Sequence, residues 1–134
     1  MKRIRLALSY GLLVLACLLV LNINSASAIK QFSDEFKEKY VKDPAKTSEE
    51  KSLTEAFAKA KCNVCHDANS KSKKDHNHYG KELAKLLDKK ADMKDKKKIQ
   101  EALTKVEGMK SKPGDEKAPT YGDLIKQGKL PAEQ

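Results

Sequence analysis

Apolar side chains recur three or four residues apart along most of residues 29–134, the spacing that places them on one face of an α-helix. Phe32, Phe36 and Tyr40 begin this pattern and predict a short helix over residues 32–41. A sustained alternation of apolar and polar residues, which a half-buried β-strand would show, is missing from the sequence. The pattern therefore predicts an all-α fold of four or five short helices.

Capping residues and apolar stripes set the bounds of the later helices. Thr47 has N-cap chemistry and precedes acidic residues, so a second helix is predicted from there to about Lys61. Two further helices are predicted, each from an apolar stripe. The first stripe is Tyr79, Leu83, Leu86 and Leu87, and the second is Ile99, Leu103 and Val106. A short last helix is predicted near residues 123–127. Residues 67–75 are predicted to form an exposed loop, and the charged residues 88–98 a solvated linker or helix face.

The first 28 residues have the composition of a secretory signal peptide. Lys2, Arg3 and Arg5 precede an apolar run from residue 6 to residue 21, and Ala26-Ser27-Ala28 forms a small-x-small cleavage pattern. Cleavage after residue 28 would leave a helical lead-in, residues 29–46, and one domain, residues 47–134, in the periplasm or another exported location. The length of the apolar run leaves open a second interpretation, in which the segment is retained as a membrane anchor.

Charge and composition narrow the classes of partner. The chain carries a formal charge of +9, which falls to +6 when the three basic residues of the signal segment are removed. Each of the 25 basic residues that remain (28 less three) is Lys, whereas Arg usually makes the bidentate contacts to phosphates and bases. The composition therefore favours acidic protein partners over nucleic acid. Apolar residues are sparse and Trp is absent, so a bound group is expected to complete the core.

Cys62-Asn63-Val64-Cys65-His66 is the motif that carries chemistry. In an exported protein, C-x-x-C-H indicates attachment of c-type haem. Two thiols three positions apart can each bond one vinyl group of the porphyrin, and the next residue can bind the iron. Two other interpretations remain open: a redox disulfide, and a zinc site in which His66, His76 and His78 complete a ligand set with the two cysteines.

The segment from Leu53 to His66, an amphipathic helix with Phe57 five residues before Cys62, resembles the start of the small monohaem cytochrome c family. The resemblance implies a few helices around one covalently attached haem c, with Cys62 and Cys65 as attachment residues and His66 as the proximal iron ligand. It also implies one-electron transfer between redox-partner proteins. The sequence offers no constellation of catalytic acids and bases, so an enzyme is not expected.

The ligand on the other face of the iron has four candidates in the sequence: Met109, Met93, His76 and His78. Met109 comes after the predicted helix that ends near Val106 and before the last helix, which is the order in which the resembled family presents its methionine. A methionine would raise the reduction potential relative to a second histidine. An open position is the alternative, and it predicts a haem-based sensor that binds carbon monoxide or nitric oxide.

Overall fold

A computed structural model describes residues 24–72 and 74–132 of the chain. Its α-helices are α1 (Asn24–Tyr40), α2 (Ser48–Ala60), α3 (His78–Leu86), α4 (Lys96–Glu107) and α5 (Tyr121–Lys126), and a 3-10 turn over Lys61–Val64 follows α2. Among the described residues, the β-type pairing consists of two isolated bridges, and no strand is formed. The predicted all-α architecture of four or five short helices is confirmed.

The first helix is longer than the sequence predicts. α1 begins at Asn24, whereas the apolar pattern predicts a helix from Phe32. Residues 24–28, the end of the predicted signal segment, form the start of this helix, and the rest of that segment lies outside the described residues. In the part of the chain that the structure describes, no helix is both long and apolar enough to cross a membrane.

Side-chain caps fix where the helices start. Thr47 Oγ1 accepts a hydrogen bond from Glu50 N at 3.2 Å, and the Glu50 carboxylate accepts one from Thr47 N at 3.2 Å, which makes a reciprocal capping box for α2. Thr120 forms a second capping box with Asp123 at the start of α5, and the side chains of Asn77 and Asp95 accept one backbone N–H bond each at the starts of α3 and α4. The N-cap predicted at Thr47 is confirmed, and α2 leads from it directly into the C-x-x-C-H motif.

Aromatic rings join four of the helices in one core. Phe36 of α1 is 1% exposed and contacts Tyr79 of α3, with ring centroids 6.1 Å apart. Tyr79 contacts Tyr121 of α5 at 5.0 Å, and Phe57 of α2 stacks on Phe36 at 5.8 Å. α4 packs against both α1 and α3 and contributes buried aliphatic residues. The helices α1, α3 and α4 therefore surround the same part of the interior.

Polar contacts also hold α1 to α4. Glu35 is 3% exposed, and its carboxylate accepts hydrogen bonds from Gln100 Nε2 at 2.6 Å and from Gln31 Nε2 at 3.1 Å. Further along the same two helices, Tyr40 OH donates to Glu107 Oε2 at 3.0 Å. Because a buried carboxylate needs such partners, these contacts fix how α1 lies on α4.

The charged stretch 88–98 is exposed over most of its length, as the sequence predicts, and the exception is Asp92, which turns inward. Asp92 is 7% exposed, and its Oδ2 accepts hydrogen bonds from Lys98 Nζ and from Asp88 N, both at 2.7 Å. The hydrogen bond from Lys98 holds the pKa of Asp92 below its ordinary value. Asp92 therefore ties the connection between α3 and α4 together. Composition marks this segment as charged but cannot show which of its side chains turns inward.

Candidate functional site

The motif turn, residues 62–66, begins where α2 ends. Lys61 has a φ of 49°, a conformation that residues other than glycine rarely adopt, and the α-helix ends there. Cys65 N and His66 N then both donate to Cys62 O, at 3.3 and 3.1 Å. Cys62 is exposed, Cys65 is half-buried, and both are free thiols. The two cysteines and the histidine therefore lie on one tight turn.

The loop that follows folds back onto the motif turn. Asn77 N donates to Cys65 O at 3.1 Å, and His66 and His76 form an isolated antiparallel bridge. The ring nitrogen Nδ1 of His66 lies 3.3 Å from Asp75 O. Because a carbonyl oxygen only accepts hydrogen bonds, this contact favours the tautomer that carries its proton on Nδ1, in which Nε2 is the nitrogen able to bind a metal ion.

A cavity of about 340 Å³ opens beside the motif turn. This volume lies within the range of small-molecule and cofactor sites. Cys62, Cys65 and His66 all border the cavity. Much of its wall is hydrocarbon from α1, from α4 and from α3 with its C-cap, contributed by Phe32, Phe36, Leu83, Ala84, Leu87, Ile99 and Leu103. Polar side chains on the border include His76 and three lysines, Lys61, Lys74 and Lys89.

The groups around this cavity suit a flat, largely apolar macrocycle that carries a metal ion. Two free thiols and an imidazole lie on the same turn, the hydrocarbon wall can cover the faces of a porphyrin, and the lysines can neutralise its two carboxylates. Burial, with a smaller effect from Cys62, raises the pKa of Cys65 to about 12.

Two residues that support the motif turn are not identified by the sequence analysis. The Asn77 side chain caps α3 and also donates to backbone carbonyls of the motif turn. Gly80 lies so close that a β-carbon there would overlap the carbonyl oxygen of Cys65. An Asn directly before a helix is a recognisable N-cap signal, so the cap could have been found. Its link to the motif turn could not, because Asn63 is 14 residues away along the chain.

The structure separates the four candidates for the second axial ligand. Of these four, His76 borders the cavity, and its ring stacks on His66 with centroids 4.8 Å apart and planes inclined by 23°. Met109 is half-buried and packs against the hydrophobic core, but it is not among the cavity-lining residues. Met93 is half-buried and His78 is exposed at the start of α3, and neither borders the cavity. Cys62, Cys65 and His66 are therefore brought together without either methionine.

A metal site built from protein side chains alone is not formed by the described residues. Across residues 24–72 and 74–132, no group of three or more His, Cys, Asp or Glu side chains is placed to hold a metal ion. The zinc interpretation would require such a group. Haem makes a smaller demand, because the porphyrin nitrogens supply four of the iron ligands.

Comparison of the chain with protein-family models, with curated proteins and with solved structures found no match. Conclusions about function therefore rest on the residues and geometry of the site itself.

Proposed function

We propose that the chain is an exported monohaem c-type cytochrome that carries single electrons between redox proteins through one covalently bound haem. The observation that supports this most directly is that Cys62, Cys65 and His66 border the same cavity as the hydrocarbon side chains around it. When bound, the haem would supply an iron that alternates between the ferrous and ferric states. The signal-like pattern of residues 1–28 supports an exported, periplasmic location.

Each residue of the motif turn has a defined part in this proposal. The thiols of Cys62 and Cys65 would hold the haem through two thioether bonds, one to each vinyl group, and this addition would need no oxidant or reductant. His66 would bind the iron through Nε2, and the contact of Nδ1 with Asp75 O would orient the ring.

The test is expression in a periplasm that contains haem-attachment machinery, followed by spectra of the oxidised and reduced protein. We expect one covalently bound haem that survives denaturation, and its loss when both cysteines are replaced by serine. His66→Ala should change the iron spectrum, whereas the matched control His78→Ala, at an exposed histidine, should leave it unchanged. An unaltered spectrum in His66→Ala would contradict the assignment of that ligand.

A second candidate function, a haem-based binder of small gaseous ligands, is favoured by where the structure places the two methionines and His76. Neither methionine borders the cavity, and the His76 ring lies against His66. A sixth position left open by the protein would give a high-spin spectrum and rapid binding of carbon monoxide by the reduced protein. A low-spin spectrum that becomes high-spin in Met109→Leu, but not in Met93→Leu, would support electron transfer with Met109 as the distal ligand.

A further inference from the structure

Asn77 makes more hydrogen bonds to the motif turn than any helix cap requires. Its side-chain Nδ2 donates to Val64 O at 3.0 Å and to Asn63 O at 3.2 Å, and it lies 3.4 Å from His66 O. Its backbone N donates to Cys65 O at 3.1 Å. Four consecutive carbonyl groups of residues 63–66 are thus within hydrogen-bonding distance of a single residue.

The opposite end of the same amide serves α3. Asn77 Oδ1 accepts a hydrogen bond from Gly80 N at 2.9 Å, which satisfies one of the free N–H groups at the start of the helix. Leu83 and Ala84 lie on this helix and form part of the cavity wall. One side chain therefore connects the turn that carries the haem-bonding residues to the helix that would cover the haem.

We propose that Asn77 is a positioning residue for the iron ligand His66. It holds the backbone turn on which that histidine lies, and so sets the place from which the imidazole ring, oriented by the contact of Nδ1 with Asp75 O, reaches the cavity. This inference rests on the proposed function. Cys65 and His66 both border the cavity, and the Asn77 side chain donates to three carbonyl groups of the turn that carries them.

The chemistry of the side chain makes Asn specific for this position. Asp and Ser are equally good N-caps, because each offers an oxygen to the helix N–H groups. Neither can donate to two carbonyls while its oxygen accepts from Gly80, since Asp at neutral pH only accepts and Ser has a single hydrogen. Capping and positioning can therefore be separated by substitution.

The experiment compares haem-loaded wild-type protein with Asn77→Ser and Asn77→Asp. The readouts are the haem content per chain, the reduction potential and the paramagnetically shifted NMR signals of the haem methyl groups, whose pattern reports the orientation of an axial imidazole. We expect both variants to keep their helix content by circular dichroism. We also expect a several-fold loss of attached haem and an altered methyl pattern, both more severe for Asp because its carboxylate faces carbonyl oxygens. Asp95→Ser is the control, since it changes the cap of α4 away from the motif turn.

The outcomes separate this inference from the proposed function. Full haem content, an unchanged potential and the wild-type methyl pattern in Asn77→Ser would overturn the positioning role and leave Asn77 as a cap alone. Equal changes in Asp95→Ser would also overturn it, because they would show a general response to cap replacement. Wild-type protein without covalent haem would overturn the proposed function, and this inference with it.

Discussion

Gly80 lies directly against the backbone of the motif turn, where a β-carbon would overlap the carbonyl oxygen of Cys65. This carbonyl is hydrogen-bonded to Asn77 N and cannot move aside as a flexible side chain would. We expect Gly80→Ala to lower the free energy of unfolding by about 1–3 kcal/mol, as forced overpacking does, and to reduce haem attachment. Urea titration of the purified variant measures the first effect, and haem content measures the second.

Gly108 provides the matched control for that substitution. Its φ is ordinary for any residue, and the nearest atom to an added β-carbon is Lys105 O at 3.8 Å, which is normal contact. Gly108→Ala should therefore leave the free energy of unfolding unchanged or slightly raised, because alanine restricts the unfolded chain. Equal losses in both variants would show that the close approach to Cys65 is not the cause.

The pKa of Cys65 predicts the order in which the two thiols react before haem is attached. Burial raises this pKa to about 12, so the thiolate fraction at pH 8 is about one in ten thousand and rises about tenfold for each pH unit up to the pKa. Cys62 is exposed, so alkylation of the folded haem-free chain with iodoacetamide should modify it first. Peptide mass spectrometry at pH 7, 8 and 9 measures both rates. Faster modification of Cys65 than of Cys62 at pH 8 would contradict the prediction.

Single residues also show which parts of the site a sequence can reveal. Cys62, Cys65 and His66 are recognisable because their chemistry depends on spacing within five consecutive residues. Asn77 and Gly80 are not, because their roles depend on contacts to a turn that lies more than ten residues earlier. The distal ligand proposed at Met109 stays a prediction. Its place in the chain is suitable, but it does not border the cavity.

At the scale of helices, boundaries set by local chemistry were predictable. The cap at Thr47 lies where the sequence predicts it, because capping depends on neighbouring residues. The inward-facing carboxylates were not predictable. Glu35 finds its partner Gln100 at a distance of 65 residues along the chain, and periodicity carries no information about such a pair.

The contact between Glu35 and Gln100 gives a prediction about how α1 is held on α4. Gln100→Ala would leave a buried carboxylate with one fewer donor, and an unsatisfied buried polar group costs about 1–3 kcal/mol. We expect the free energy of unfolding to fall by that amount, measured by urea denaturation. Gln127→Ala, at an exposed position, should change it by less than about 0.5 kcal/mol. If Glu35→Ala and Gln100→Ala were additive in the double variant, the two side chains would not be energetically coupled.

At the scale of the whole molecule, the chain combines an apolar cavity with a strongly basic surface. The sequence suggests that apolar residues alone are too few for a core, and the structure has an aromatic core with a hydrocarbon-lined cavity beside it. Three of the lysines, Lys61, Lys74 and Lys89, border this cavity. A bound haem would therefore lie close to positive charge, and charged redox partners would sense that field as they approach.

This charge distribution predicts the salt dependence of electron exchange. The rate at which the reduced, haem-loaded protein is oxidised by anionic ferricyanide should fall as ionic strength rises from about 0.01 to 0.15 M, because screening lengths shrink from about 30 to about 8 Å. A cationic cobalt complex should show the opposite trend, since screening weakens its repulsion. Stopped-flow absorbance at the haem band measures both rates.

Replacing the three cavity-bordering lysines tests where the field originates. The variant Lys61→Gln, Lys74→Gln, Lys89→Gln should flatten both salt dependences, because charges near the haem act most strongly on an oxidant that reacts there. A control that replaces three exposed lysines away from the cavity, Lys51, Lys105 and Lys129, removes the same net charge and should retain most of the slope. Equal flattening in the two variants would mean that net charge alone governs the approach. It would leave no role for the position of the lysines around the cavity.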